Sequence, residues 1–333
     1  MSYEGPRTDP PHSRRPRRSP LTVALAALVT GALLGWGVYE AVGDGGPGTP
    51  VRTASSPAAS TAARETSPSG PAATEDGGRP DPARTASAPA GAGPLRGRVV
   101  VIDPGHNPGN VRHTAEINRS VDIGTNRKEC DTTGTSTNAG YTEARFTLDV
   151  AHRLRALLEE QGATVRLTHD GDEPAWGPCV DERARIGNTA RADAAVSIHA
   201  DGSAPGNRGF HVIMPGPVHS GGADTRAIVG PSRALGERIA GHFLHATGEA
   251  PSNYLGSGTG LVTRTDLGGL NLSTVPKVFI ECGNMRDSKD AAQLTSGAWR
   301  QKAAQGISEG IVSFLRESRA AGGSGRTAGS HGR

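Results

Sequence analysis

Apolar residues beyond position 95 form two kinds of pattern, short continuous runs and helically spaced positions. The continuous runs predict buried strands at 98–102, 163–168, 194–199, 209–214 and 275–282. The helical spacing predicts helices at 142–162, 181–191, 231–247, 287–294 and 298–315. Strands this apolar need cover on both faces. We therefore expect an α/β fold with a single mixed, largely parallel central sheet of about six strands, flanked by helices on both faces.

Four residues that can bind a metal or move protons stand at the ends of these elements. His106 follows the first strand in VVVIDPGH, and Glu143 opens the first helix in GYTEARF. His199 ends a strand in AVSIHAD, and Glu281 lies near the end of another in KVFIECGN. Open α/β sheets place their chemistry at the carboxyl ends of strands. Two histidines and a carboxylate make a usual catalytic zinc set, with a second carboxylate to handle protons, so the pattern predicts a metallohydrolase.

Each of these residues also has a structural interpretation. A single histidine at a strand end is more often packed or solvated than bound to metal, and the helix dipole favours a carboxylate such as Glu143 in a first turn. His211, in a predicted strand, is expected to be structural or close to the substrate, with a role as a metal ligand as the alternative. Asp103 is expected to orient a ligand histidine or the turn that carries it, as acids behind metal ligands often do.

Together, VVIDPGH, the Glu143 helix start, SIHAD and IECGN resemble the zinc-dependent N-acetylmuramoyl-L-alanine amidases of the amidase-3 type. The resemblance covers residues 98–315 and rests on the four motifs standing in this order. It implies hydrolysis of the amide that joins the lactyl group of N-acetylmuramic acid to the L-alanine of the peptidoglycan stem peptide. Carried over by position, His106, Glu143 and His199 would hold one Zn²⁺, and Glu281 would be the catalytic carboxylate.

Peptidoglycan is then the expected partner. Asn107 and Arg127, in the long loop between the first two motifs, become candidate contacts for its amides and carboxylates, because long loops in compact domains are generally functional. The chain departs from the family where Gly283 is followed by Asn284 instead of phenylalanine, which bears on substrate preference. Two other functions stay open, a zinc peptidase acting within the stem peptide and an inactive peptidoglycan-binding or regulatory module. A pure binding module has no need of Glu281.

Overall charge argues against a nucleic-acid partner. The chain carries 36 basic and 33 acidic residues, a formal net charge of +3, and no basic stripe interleaved with aromatic residues. With 47 glycines, 24 prolines and only 4% aromatic residues, much of the chain cannot contribute to a hydrophobic core.

The amino-terminal segment predicts a membrane anchor. Residues 1–20 are polar and carry a cluster of four arginines at positions 14, 15, 17 and 18, which favours a cytoplasmic tail. Residues 21–42 carry one charge, Glu40, and as a helix they would span roughly 33 Å, enough to cross a bilayer. The domain that follows would lie outside the bacterial cell membrane, at the cell wall. A cleaved signal peptide is the alternative, with Ala41 and Gly43 at the cleavage site, and the protein would then be secreted.

The rest of the chain divides by composition. Residues 43–94 are rich in Pro, Ala, Ser, Thr and Gly and predict a disordered linker with a root-mean-square span of roughly 40 Å. Residues 95–317 contain all the predicted strands and every predicted helix after residues 21–42. This segment is expected to be the catalytic domain. Residues 318–333 predict a disordered tail.

Three cysteines bear on the compartment. Cys130 and Cys179 lie in polar connections, and in an exported protein they can form a disulfide. Two free thiols are the alternative. Cys282 lies in an apolar strand and is expected to behave as a small buried apolar residue.

Overall fold

The computed structural model describes residues 93–171 and 173–324, and the side chains only as far as 318. The predicted segments 1–20 and 21–42, nearly all of the predicted linker and most of the predicted tail lie outside these residues. Among the helices of the described part, none combines the length and the apolar character that crossing a membrane requires.

Ten strands are present in the described residues, and six of them form one central sheet. Their bounds are β1 (Val99–Pro104), β2 (Ser120–Asp122), β3 (Arg127–Glu129), β4 (Thr164–Leu167), β5 (Ala194–Asp201), β6 (His211–Pro215), β7 (His219–Ser220), β8 (Ala223–Asp224), β9 (Leu261–Arg264) and β10 (Lys277–Asn284). The central sheet has the order β4-β1-β5-β10-β6-β9. The first four of these strands are mutually parallel, β6 is antiparallel to β10, and β9 is parallel to β6. The predicted single mixed, largely parallel sheet is confirmed.

Helices lie on both faces of this sheet. Their bounds are α1 (Thr114–Ile117), α2 (Glu143–Glu160), α3 (Val180–Thr189), α4 (Val229–Thr247), α5 (Gly268–Asn271), α6 (Ser288–Leu294) and α7 (Gly297–Ser324), with two 3-10 turns at Asn110–Arg112 and Gly256–Gly258. The larger core lies between the sheet and helices α2, α4 and α7. The smaller core, on the opposite face, includes residues of β1, β5 and α3.

Alternation along β10 decides which side chains reach the functional face. Val278, Ile280 and Cys282 are fully buried in the larger core. Side chains alternate between the two faces of a strand, so Lys277, Phe279 and Glu281 project to the face with the smaller core. The free thiol of Cys282 is buried, as its apolar strand predicts.

Strand β9 and the hairpins β2–β3 and β7–β8 were not predicted. Their runs are only two to four residues long and depend on contacts with distant parts of the chain. Asn271, for example, donates its amide to the carbonyl of Ile123 beside the first hairpin at 3.2 Å and to that of Thr265 after β9 at 2.9 Å. The local sequence pattern does not predict such elements, because contacts with distant residues stabilise them.

Candidate metal centre

Three residues from separate elements bring their donor atoms together. His106 Nε2 lies 3.1 Å from Glu143 Oε1, and His199 Nδ1 lies 3.0 Å from the same oxygen. One donor atom from each of the three residues falls within 4.8 Å of the others. In a tetrahedral site with bonds of about 2.0–2.1 Å, neighbouring ligand atoms are about 3.3 Å apart. The two nitrogen–oxygen distances are close to that separation.

His106 is delivered by an unusual backbone conformation. The residue has a φ of 61°, in the left-handed region that residues other than glycine seldom occupy. Such conformations cost energy and concentrate at functional sites. Its Nδ1 lies 3.1 Å from both the carbonyl oxygen and the hydroxyl oxygen of Thr132. A hydrogen bond to the carbonyl requires a proton on Nδ1, and this tautomer leaves the lone pair of Nε2, which faces Glu143, free to bind a metal.

Glu143 is fixed at the first turn of α2. Its carboxylate is buried, Oε2 accepts from the backbone amide of Thr135 at 3.0 Å, and Oε1 accepts from that of Ala200 at 3.2 Å. A helix amino terminus also favours a negative charge. Thr142 occupies the N-cap position of this helix, and its side chain makes no capping hydrogen bond there.

Two glycines leave the space that these side chains occupy. A β-carbon on Gly105 would lie 2.4 Å from the ring of His199. A β-carbon on Gly134, which has a φ of +73°, would lie 2.7 Å from the ring of His106 and 2.9 Å from Glu143 Oε2. The donor set of two imidazoles and one carboxylate therefore sits in a cradle shaped around it, and its chemistry fits a zinc ion.

Glu281 stands beside the donor set. It is the register partner of His199 on β5 and of His211 on β6. Its Oε2 is buried and has no hydrogen-bond partner among the described residues. Burial, reinforced by the negative charges of Glu143 and Asp201, raises the pKa of Glu281 well above its ordinary value. A carboxyl group with a raised pKa is suited to accept a proton and return it.

His211 lies on the far side of Glu281 from His199. Its side chain is 1% exposed, and Nδ1 has no partner among the described groups. Burial lowers the pKa of His211 to about 4, so the ring is neutral at physiological pH. The ring meets Tyr254 edge-on at 5.9 Å, and the Tyr254 hydroxyl donates to Asp201 at 2.7 Å. The structure thus places His211 next to Glu281, outside the donor set of His106, Glu143 and His199.

Asp103 lies below the donor set and does not bond to either histidine ring. It accepts hydrogen bonds from Thr168 at 2.7 Å, Ser197 at 2.5 Å, Arg183 at 2.7 Å and Lys277 at 3.0 Å. Burial opposes its ionisation, but Lys277 and Arg183 hold the pKa of Asp103 well below its usual range. Arg183 also donates to the carbonyl oxygens of Pro104 and His106. Asp103 therefore supports the turn that carries His106.

A disulfide fastens the segment that surrounds the donor set. Cys130 and Cys179 are bonded, which confirms the predicted pair. Asp131, which follows Cys130, accepts a hydrogen bond from Arg183 at 2.8 Å. The carbonyl oxygen of Thr132 lies within hydrogen-bonding distance of the His106 ring. The long loop therefore forms one wall of the site, and its cysteine ties that wall to the start of α3. A cavity of about 230 Å³ opens between this wall, Phe279 and the two histidines.

The two candidate substrate contacts of this loop have other partners. Asn107 is 1% exposed, and its amide donates to the carbonyl oxygens of Pro174 and Gly177, both at 3.0 Å. Arg127 lies on the exposed hairpin and donates to Ser120. Neither joins the donor cluster. The supporting roles of Asp131, Arg183 and Lys277 were not predicted. No sequence motif identifies a buried charged residue that acts on the site through another residue.

Comparisons with known proteins agree with this geometry. A family model described as N-acetylmuramoyl-L-alanine amidase matches residues 100–313, which contain all four predicted site residues. The chain belongs to this amidase family. An N-acetylmuramoyl-L-alanine amidase of Mycobacterium tuberculosis is 43% identical over 223 residues, which cover 66% of this chain and 88% of that protein.

Solved amidase structures share the fold. The amidase Ami1 from Mycobacterium smegmatis has a TM-score of 0.62 and 40% identity, and the match covers 68% of this chain and 100% of that one. The apo form of Ami1 from Mycobacterium abscessus has a TM-score of 0.60 and 41% identity, with 66% and 99% covered. The match spans nearly the whole of both solved amidases.

The glycine cradle leads to a prediction. Gly134→Ala is expected to weaken Zn²⁺ affinity at least tenfold, an effect of the order seen when support behind metal ligands is lost, because the new methyl group displaces His106 or Glu143. Gly140→Ala is the matched control, since Gly140 has a φ of +83° but no atom of the described part of the chain lies within 4 Å of the added carbon. The control should lose stability and keep its Zn²⁺ affinity. Competition with a chelator measures the Zn²⁺ affinity of both variants. Equal affinities would refute the idea that Gly134 leaves the space that the ligand side chains need.

Proposed function

We propose that this chain is a zinc-dependent N-acetylmuramoyl-L-alanine amidase of the bacterial cell wall. Its reaction is hydrolysis of the amide between the lactyl group of N-acetylmuramic acid and the L-alanine of the stem peptide. The observation that carries the proposal is the convergence of His106, Glu143 and His199 beside Glu281, in a chain that belongs to this amidase family.

His106, Glu143 and His199 are the proposed ligands of a single Zn²⁺, through Nε2, Oε1 and Nδ1. A zinc ion held by three such ligands lowers the pKa of a bound water towards about 7 and polarises the carbonyl group under attack. Neighbouring residues of the chain keep the proposed ligands in position. Thr132 orients the ring of His106, and the amides of Thr135 and Ala200 fix the carboxylate of Glu143.

Glu281 is the proposed general base and general acid. Its buried, unpartnered oxygen accepts a proton from water as the water oxygen bonds to the amide carbon. The same carboxyl group then gives that proton to the departing nitrogen as the carbon–nitrogen bond breaks. One water molecule is consumed. The products are a free lactyl carboxylate on the glycan and a stem peptide with a free L-alanine amino group.

The two other candidate functions are less well supported. A zinc peptidase that cuts within the stem peptide would use the same four residues, but family membership favours the amide at the lactyl group. An inactive binding module would not need Glu281, since Oε2 makes no hydrogen bond with any described residue that would stabilise the fold.

The products of digestion test the proposal. The purified zinc-loaded protein, incubated with defined muropeptides, should release the complete stem peptide and leave glycan with free lactyl groups, identified by mass spectrometry. Shortened stem peptides would indicate the peptidase. Absence of any product, with zinc bound at one ion per chain, would indicate the binding module.

Glu281→Gln is the matched control for this experiment. The substitution keeps the shape of the side chain and removes the proton acceptor, so activity should fall at least 10²-fold while zinc content stays unchanged. Elemental analysis of both proteins measures the zinc content. Loss of zinc from the variant would show that Glu281 is a ligand and would contradict its role in proton transfer.

We also propose that residues 21–42 anchor the protein in the cell membrane with residues 1–20 inside the cell. Residues 43–94 would be the linker, residues 95–317 the extracytoplasmic catalytic domain and residues 318–333 a tail. The apolar length of 21–42 and the arginines before it support this arrangement. Intact-mass analysis of the protein recovered from membranes should show the full chain. A mass that lacks the first 40 or so residues would indicate a cleaved signal peptide.

A further inference from the structure

A lysine ammonium group is buried beneath the proposed zinc site. Lys277, at the start of β10, is 2% exposed. Its Nζ lies 3.0 Å from Asp103 Oδ2 and 5.5 Å from the centre of the Phe279 ring. Lys277, Phe279 and Glu281 alternate along one face of the strand, so the lysine is two positions below the phenylalanine and four below the proposed catalytic carboxylate.

A chain of ion pairs runs from this lysine to His106. Asp103 Oδ1 lies 2.7 Å from Arg183, and the same guanidinium group lies 2.8 Å from Asp131 Oδ2. The other oxygen of Asp131 lies 3.8 Å from His106 Nδ1, and Arg183 also donates to the His106 carbonyl at 3.2 Å. Two cations and two anions thus form a buried, neutral series that ends on both the backbone and the ring of His106.

A second path runs from the same lysine to His199. The ring of Phe279 stacks on the ring of His199, with centroids 5.2 Å apart and an angle of 15° between the planes. The lysine ammonium lies near this phenylalanine ring, where a cation is attracted to the aromatic electrons. Lys277 is therefore connected to each of the two histidines through different residues.

Stability alone does not explain four buried charges in this place. Removing charges from water is costly, and buried ion pairs can often be replaced by apolar side chains with no loss of stability. The network ends on the two proposed histidine ligands, whose orientation must be fixed for metal binding. Groups behind metal ligands commonly serve that purpose.

We propose that Lys277 is a positioning residue that holds His106 and His199 in the orientation for zinc binding, through Asp103, Arg183 and Asp131 on one side and Phe279 on the other. The proposal rests on the proposed function, because it takes both histidines as zinc ligands. Lys277 itself touches neither the metal nor the substrate.

Lys277→Met tests the proposal in the full-length protein, since methionine retains much of the apolar stem and removes the charge. The affinity for Zn²⁺, measured by chelator competition well below the unfolding temperature, should fall 10- to 100-fold, as it does when support behind metal ligands is lost. The visible absorption spectrum of the Co²⁺-substituted protein should also change, because it reports ligand geometry.

Arg300→Met is the matched control. Arg300 is also a largely buried cation, paired with Asp149, donating to the carbonyl of Leu294 and lying 5.6 Å from the centre of the Tyr141 ring. Arg300 belongs to α7, which packs on the face of the sheet opposite to Lys277. This variant should lose stability but keep the Zn²⁺ affinity and the Co²⁺ spectrum of the unmodified protein. Equal weakening of Zn²⁺ binding in the control would refute a specific role for Lys277.

Two further variants keep the test decisive if Lys277→Met does not fold. Asp131→Asn interrupts only the path to His106, and Phe279→Leu interrupts only the path to His199. Each should weaken Zn²⁺ binding. Unchanged affinity in both, or in a folded Lys277→Met protein, would overturn the proposal. An unmodified protein that binds no Zn²⁺ would refute the proposed function and this inference with it. An unmodified protein that binds Zn²⁺, with variants that bind it equally well, would refute this inference alone.

Discussion

The shared oxygen of Glu143 is the interaction on which the site depends. One carboxylate oxygen faces both His106 and His199, at 3.1 and 3.0 Å, while backbone amides from two other segments hold the carboxylate in place. The first turn of α2 thereby joins the loop after β1 to the end of β5. Burial disfavours the charge of this carboxylate unless a positive group lies against it, and a metal ion held by all three residues would supply that group.

Charged side chains lie in two groups around Glu143. Above the sheet edge, the three donors and Glu281 lie close together. Below it, Lys277, Asp103, Arg183 and Asp131 alternate in sign and are almost fully buried. The disulfide between Cys130 and Cys179 secures the loop that bears Asp131 and Thr132, so a covalent link lies directly behind the groups that orient His106. Electrostatic and covalent restraints therefore converge on the same few side chains.

Strand ends predicted the sheet edge and placed His106, His199 and Glu281 there. Apolar strand runs end at the same edge of a parallel sheet, so the residues at their ends meet in space. Glu143 stands at a helix start, and its place in the set came from the resemblance to the amidase family. Asp103 was expected behind the ligands, but its charged partners were not predicted, because they are remote in the chain: Arg183 bonds to Asp103 across 80 positions and Lys277 across 174. Strand β9 and the small hairpins were missed for a similar reason, since tertiary contacts stabilise runs too short to show a period.

Crystallographic anomalous scattering, collected on either side of the zinc absorption edge, would locate the metal itself. A zinc ion bound by the proposed ligands should give a single strong peak within about 2.0–2.2 Å of His106 Nε2, Glu143 Oε1 and His199 Nδ1, present only above the edge. Glu281 should lie nearby without being a ligand. A peak at other residues, coordination by Glu281, or no peak in protein crystallised with zinc would contradict binding of zinc by these three residues.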